Sequence, residues 1–232
     1  MHWFYDPSAS RASTALPNQE ALHAKSLRIR SGETIAVTDG QGLVIQGLVK
    51  HEAPLEFEVL NAEKISAPKI RFHLIQALAK NDRDEMAIQA AIELGATTIT
   101  PWQAGRSIVK WDGKEAKNGL RWQQIAIEAM KQSQQAYVAE VLPVANLSNL
   151  SCKSGVKLVL DPRAETLLTD IDLSSGEVAL AVGPEGGISE DEISKFESIG
   201  FKRVRLGSSV LRASTAGPAA IAAISAIAGA WN

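Results

Sequence analysis

Two rhythms in the 232-residue chain predict an α/β protein in which a mainly parallel sheet follows a small all-β domain. Short strand-type runs broken by turn pairs fill residues 1–68, whereas from residue 69 apolar strands alternate with helix-period segments. Three of the later strands, KLVLDP, EVALAVGP and FKRVRLG, run straight into proline or glycine. Open parallel sheets bind ligands beyond the carboxyl ends of their strands, so these ends are where a site is expected.

Taken in order, NQEALHAKSLRIRSG reads as a short helix leading into the cations Lys25, Arg28 and Arg30. ETIAVTDG is a strand closed by the turn pair Asp39-Gly40, and LVIQGLVK and LEFEVLNAEK continue the strand pattern, which together suggest a small β-barrel. Acids and bases number eight each in residues 1–71, so only the Lys25, Arg28, Arg30 cluster stands out. Its plain alternative is a solvated helix face. A boundary near Ser66-Ala67-Pro68 leaves residues 69–232 as the second domain. There KIRFHLIQAL is a strand, DEMAIQAAIEL a helix stopped by Gly95, and TTITPW a strand. RWQQIAIEAMKQSQQ is a helix with Ile125, Ala129 and Gln132 on one side. The Ala-rich residues 218–231 predict a buried terminal helix, capped by Ser214 or Thr215, with Pro218 in its first turn.

Composition narrows the class. Apolar residues make up 45% and charged residues 22%, with a formal net charge of −2, so no global positive field points to nucleic acid. The single cysteine, Cys152, forms no intrachain disulfide, and four scattered histidines give no metal spacing. No apolar run reaches the roughly 20 residues of a membrane span, and MHWFYDPSAS lacks the order of a signal peptide; a cytoplasmic protein is expected.

The loop AVGPEGGISEDEI carries the strongest signal. Three glycines, a proline and one acid within five residues exceed what a turn needs, and Ser189 with Glu192 forms a capping box that starts a helix. A second loop, LGSSVLRAST, places Arg212 between an apolar pair and a helix start, where an arginine suits an anion or oxyanion. Leu160-Asp161-Pro162-Arg163 is a weaker third. Neither GxGxxG nor GxxxxGK[ST] occurs, so the loops suit a small ligand with a flat, adenine-like face read by backbone amides.

IQAAIELG, Arg106-Ser107, RWQQIAIEA, GPEGGISEDEI and LGSSVLRAST, in this order along the chain, resemble the bacterial small-subunit ribosomal RNA uridine-N3 methyltransferases, members of the SPOUT class. The resemblance covers most of the chain, and LRIRSGETIAVTDG looks like that family's PUA-like barrel. It implies a trefoil-knotted C-terminal domain, a homodimer packed through it, and S-adenosylmethionine as methyl donor, with no metal. It further implies a target uridine in the 16S rRNA of the small ribosomal subunit. The implied cofactor loops are Leu160, Asp161 and Pro162; Val182, Gly183, Pro184, Glu185, Gly186 and Gly187; and Leu206, Gly207, Ser208, Val210, Leu211 and Arg212. Arg212 and Glu185 are the implied catalytic pair. Arg28, Arg30, Lys80, Arg106 and Arg121 are the candidate RNA contacts, within a region where residues 105–135 hold six bases and three acids.

The chain also departs from the family pattern. Ser214 stands where a glutamate is usual, Gly105 precedes Arg106-Ser107 in place of an acid, and Ala90, Gln134 and Gln135 replace basic residues. Two other readings therefore stay open at this point. One is another SPOUT activity, such as ribose 2′-O methylation; the other is a non-catalytic RNA-binding protein.

Overall fold

The structure, a computed structural model, describes residues 1–153, 155–173 and 176–231. The chain forms two compact units, one of Met1–Ala67 with Ile127–Val138 and one of Pro68–Ala126 with Ala139–Asn232.

The first unit contains β1 (His2–Tyr5), α1 (Asn18–Ser26), β2 (Thr34–Thr38), β3 (Leu43–Glu52) and β4 (Leu55–Lys64). Its strands form one mixed sheet in the order β1-β2-β3-β4, with β1 parallel to β2 and the other pairs antiparallel. In β4, Leu55 and Phe57 turn inward while Glu56 and Glu58 face water, the two-residue period of a half-buried strand. Those inward side chains join Phe4, Ile35, Val37, Ile45 and Val49 in the unit's core. Strand β1 has no counterpart in the sequence reading, because four residues carry too little periodicity to mark a strand without their partner.

The second unit begins with β5 (Arg71–Ala77), α2 (Arg83–Glu93), β6 (Ala96–Trp102) and α3 (Glu115–Gln132), whose last turns belong to the first unit. It continues with β7 (Glu140–Val141), β8 (Val156–Leu160), a 3-10 turn at Leu168–Asp170, and β9 (Glu177–Val182). The chain then forms α4 (Glu190–Ser198), β10 (Lys202–Val204) and α5 (Ala213–Ile227). Six strands make a sheet that is parallel throughout, in the order β10-β8-β9-β5-β6-β7. The central β5 and β9 are buried almost without a break, because helices cover both faces of such a sheet. On one face Ile193 and Phe196 of α4 pack with Ile75, Trp102 and Phe201, and the Phe196 ring lies edge-on to Trp102 at 5.1 Å. On the other, α5 packs on α2, β5 and β9. Gly217 lets α5 sit close, since a Cβ there would come 2.9 Å from Leu74 Cδ1.

Three helix details differ from the sequence reading. The buried face of α3 is Trp122, Ala126, Ala129 and Met130, while Gln132 is exposed and Ile125 only half-buried. Trp122 shifts the face, because its ring stacks edge-on against Trp111 at 5.0 Å. Helix α5 starts directly after Arg212, so Ser214 and Thr215 lie inside its first turn and neither caps it. Pro218 consequently falls in the second turn, inside the helix.

His73, in β5, is structural. Its Nε2 is 2.7 Å from Thr100 Oγ1, and burial pushes its pKa down to about 4, so the ring is neutral near pH 7.

Candidate active site

The register of the sheet builds the site. Leu160 of β8 pairs with Val204 of β10 on one side and with Val182 of β9 on the other. All three strands therefore end in one row, and the loops after them leave the sheet side by side. A cavity of about 680 Å³ lies there. Its walls include Leu160, Asp161 and Pro162 from the first loop, Val182 through Ile188 from the second, and Leu206, Gly207, Ser209, Val210, Leu211 and Arg212 from the third. Of the expected cofactor residues only Ser208 is absent from the lining; it is exposed to solvent while its neighbour Ser209 lines the wall.

The glycines of the second loop have reasons inside the protein. A Cβ on Gly183 would stand 2.5 Å from Ile188 Cγ1, and one on Gly186 would stand 3.1 Å from Arg106 Cβ. Ser189 caps α4 as expected: its amide donates to Glu192 Oε2 at 3.0 Å, and its Oγ accepts from the Glu192 amide at 3.3 Å. The other Glu192 oxygen accepts from the Gly105 amide at 2.7 Å, which docks the loop after β6 onto this helix start. Burial pushes the Glu192 carboxyl up, but hydrogen bonds from Gly105 and Ser189 outweigh it, and its pKa lies below the ordinary value.

An ion lattice lies at the first loop. Asp161 is only 3% exposed and receives Arg163 on both oxygens, from Nε at 2.9 Å and Nη2 at 2.8 Å. Arg203 reaches the same carboxylate at 2.8 Å, and Glu190 balances both arginines from the start of α4, at 2.6 Å from Arg163 and 3.4 Å from Arg203. Burial raises the Asp161 pKa, while the hydrogen bonds from Arg163 and the charges of Arg203 and Arg163 lower it further, so the net shift is downward. Sequence reading missed Arg163 and Arg203 as partners of Asp161, because nothing local marks a buried acid before the strands are paired.

Glu185 is not isolated. Its Oε1 accepts from the Lys80 amide at 3.2 Å and lies 3.5 Å from Arg83 Nη1. Arg106 donates from Nη1 to the Gly186 carbonyl at 3.1 Å. Arg83, Arg106, Arg163, Arg205 and Arg212 all line the cavity. Among the described residues, no ion pair engages Arg205 or Arg212, so the cavity offers uncompensated positive charge near its third loop.

Of the other expected RNA contacts, Lys80 adjoins the cavity, its amide donating to Glu185. Arg121 makes a two-pronged ion pair with Glu85, and Lys80 is exposed. In the first unit Arg30 pairs with Glu52 at 2.9 Å, while Arg28 is exposed with a left-handed φ of 59°. Lys131, one of the six bases counted over 105–135, is buried and lies 3.1 Å from Glu20 and 2.9 Å from Glu128. It is a core cation of the first unit rather than a surface contact. No group of three or more His, Cys, Asp or Glu among the described residues has the arrangement to hold a metal ion.

A cavity at the carboxyl ends of a parallel sheet, walled by backbone and arginines, defines an α/β protein with a small-ligand site. The RNA methyltransferase domain family matches residues 66–225. The ribosomal RNA small subunit methyltransferase E of Mycobacterium tuberculosis is 33% identical over 233 residues, covering 95% of this chain and 89% of that protein. Its counterpart in Aquifex aeolicus is 29% identical over 221 residues, covering 93% and 95%. The solved structure of the Neisseria gonorrhoeae enzyme of that name, bound to S-adenosyl methionine, superposes with a TM-score of 0.87 at 33% identity, covering 98% of both chains. The chain therefore belongs to the RNA methyltransferase family that includes the ribosomal RNA small subunit methyltransferases E.

Proposed function

We propose that this enzyme methylates N3 of a uridine in the 16S rRNA of the small ribosomal subunit, with S-adenosylmethionine as donor. The observation that carries the reading is the level ending of β8, β9 and β10, which brings all three expected cofactor loops onto one cavity. Its volume of about 680 Å³ falls within the range of roughly 300–1,000 Å³ usual for small-molecule sites. Backbone of residues 160–162, 182–187 and 206–212 would hold the donor, a reading supported by similarity to the Neisseria gonorrhoeae structure bound to S-adenosyl methionine. When bound, the donor supplies an already activated methyl group, so the protein's task is alignment.

Uridine N3 is an imide nitrogen that is protonated at neutral pH. As it loses its proton to solvent, charge moves onto the flanking carbonyl oxygens, which the Arg212 guanidinium in the cavity wall would stabilise. With Lys80 and Arg83 already on Glu185 Oε1, that carboxylate is better suited to orienting than to taking the proton. A base-paired uridine hides N3, so the target nucleotide must leave its stack to enter.

The same reading extends to architecture. After edge strand β10 the chain crosses back to α5, which packs on α2, β5 and β9; this return supports a trefoil knot around the β8–β9 connection. The mixed sheet of the first unit serves as a PUA-like, RNA-binding barrel spanning residues 1–68, with residues 69–232 as the methyltransferase domain. Exposed Val210 and Leu211 beside the cavity suit a homodimer face, and the enzyme works in the cytoplasm. The test is modified-nucleoside mapping of small-subunit rRNA from cells with and without the protein, alongside calorimetric titration with S-adenosylmethionine. Loss of one 3-methyluridine on deletion is expected. Its retention, or a ribose methylation lost in its place, removes the assignment.

A further inference from the structure

The strand next to the cofactor loops, β5, ends in an unusual turn. Asn81 and Asp82 both take left-handed backbone conformations, with φ of 56° and 55°, a region that Asn and Asp enter more readily than other residues with a side chain. The turn is held from two sides. Asp84, buried, accepts from the Ala79 amide at 3.1 Å and the Glu85 amide at 2.9 Å. From the cavity side, Glu185 accepts from the Lys80 amide at 3.2 Å. The residue this arrangement delivers to the cavity wall is Arg83, whose guanidinium lies 3.5 Å from Glu185 and remains about one-third exposed. One strand further along the sheet, the loop after β6 delivers Arg106, fastened to the carbonyl of Gly186. Two arginines thus flank the tip of one loop, both from strands that supply none of the expected cofactor loops.

We infer that Arg83 and Arg106 form a clamp for the backbone phosphates of the acceptor RNA, and that Glu185 is the positioning residue that holds the Arg83 arm ready. This rests on the reading of the protein as an RNA methyltransferase that uses the cavity for its donor. The chemistry follows from the placement. A guanidinium with part of its edge in water binds phosphate by charge-assisted, two-pronged hydrogen bonds. A carboxylate behind it fixes its direction without neutralising the exposed edge. Because the expected donor loops follow β8, β9 and β10, the β5 and β6 side of the cavity, where Arg83 and Arg106 stand, is left for the acceptor.

The experiment uses the full-length chain, S-adenosylmethionine and small ribosomal subunits that lack the modification. Arg83→Ala is expected to raise KM for the subunit about tenfold, while donor affinity by calorimetry stays within about twofold. Its log KM against log salt loses about one unit of slope, the signature of one phosphate contact, which a merely structural role does not move. Arg83→Lys restores part of the KM and most of the slope. Glu185→Gln raises KM about threefold and leaves the shape of the kcat–pH profile unchanged. An unaltered salt slope in Arg83→Ala, a parallel loss of donor affinity, or a collapse of kcat with a changed pH profile in Glu185→Gln each overturns the inference while leaving the methyltransferase reading in place. A wild-type chain that binds no donor and transfers no methyl group overturns both.

Discussion

The two principal loops of the cavity are built in opposite ways. Residues 183–188 are fastened at almost every position: Glu185 to the Lys80 amide, Gly186 to Arg106, Ile188 to Arg163 through its carbonyl, and Gly183 against the Ile188 side chain. Residues 206–212 have no side-chain hydrogen bond among the described residues, and Val210 is 77% exposed. The first loop is a preorganised wall; the second has surface to spare for something that arrives. Preorganisation lowers the ordering cost of binding, so a ligand in the cavity meets a finished wall on one side. On the other side, ordering is left for the ligand or partner to complete.

The sharpest way to break this contrast is Arg212→Ala. If the second loop works only on the reacting charge, kcat falls about 10²–10³-fold, equivalent to about 2.7–4 kcal/mol. Thermal stability, by contrast, changes by less than about 0.5 kcal/mol, as for an exposed residue without partners. Single-turnover methyl transfer and a melting curve on the same preparation check both halves. A lowered melting temperature would show that the loop is held after all.

Gly183→Ala probes the opposite wall. The new methyl group would meet Ile188 Cγ1 at 2.5 Å, and Ile188 is itself buried in the sheet core. Overpacking of this kind costs about 1–3 kcal/mol. Chemical denaturation should show that loss, together with weaker donor binding by calorimetry. Adding Ile188→Ala should return part of it, because the two side chains then no longer compete.

The next effect is pH-dependent. The Asp161 carboxyl titrates below its ordinary value in the folded protein, so its contribution to stability is present above the ordinary carboxylate range and is lost as pH falls through the lowered pKa. Asp161→Asn should therefore cost about 1–2 kcal/mol near neutral pH, discounted because Arg163 is half exposed. The gap between variant and wild type should close in acid. Melting temperatures from pH 7 down to pH 3 measure it; a constant gap would mean that Asp161 packs rather than pairs.

The contrast between the loops also divides what sequence could reveal. The glycine-rich loop announces itself through composition, and the Ser189–Glu192 cap through spacing, because both are local. The three strand ends were legible as apolar runs stopped by proline or glycine. That they end in one row was not, since Leu160, Val182 and Val204 are far apart in the chain and meet only through register. The same distance hides the links from Asp161 to Arg203, from Arg163 to Glu190 and from Glu185 to Lys80. The burial of Lys131 was equally hidden: its partner Glu20 lies more than a hundred residues earlier, and charge counting treats a core cation and a surface one alike. Helix α3 shows a smaller limit, where a one-residue phase shift set by the Trp111–Trp122 contact moves the buried face.

The smallest effect should come from Val210→Ser. Removing an apolar side chain that is 77% exposed takes away almost no buried surface, so the isolated chain should lose less than about 0.5 kcal/mol. For a unit of this size that is a shift of no more than about 1–2 °C in melting temperature. The effect appears elsewhere if a second copy covers this loop. A valine taken from water contributes about 1.5 kcal/mol or more, and each interface of a symmetric dimer contains the residue twice. Sedimentation equilibrium across a concentration series should then show Val210→Ser dissociating at roughly hundredfold higher protein concentration than wild type, with the monomer's denaturation curve unchanged. Identical dissociation in both proteins would place the loop in open solvent and return its apolar residues to the cavity alone.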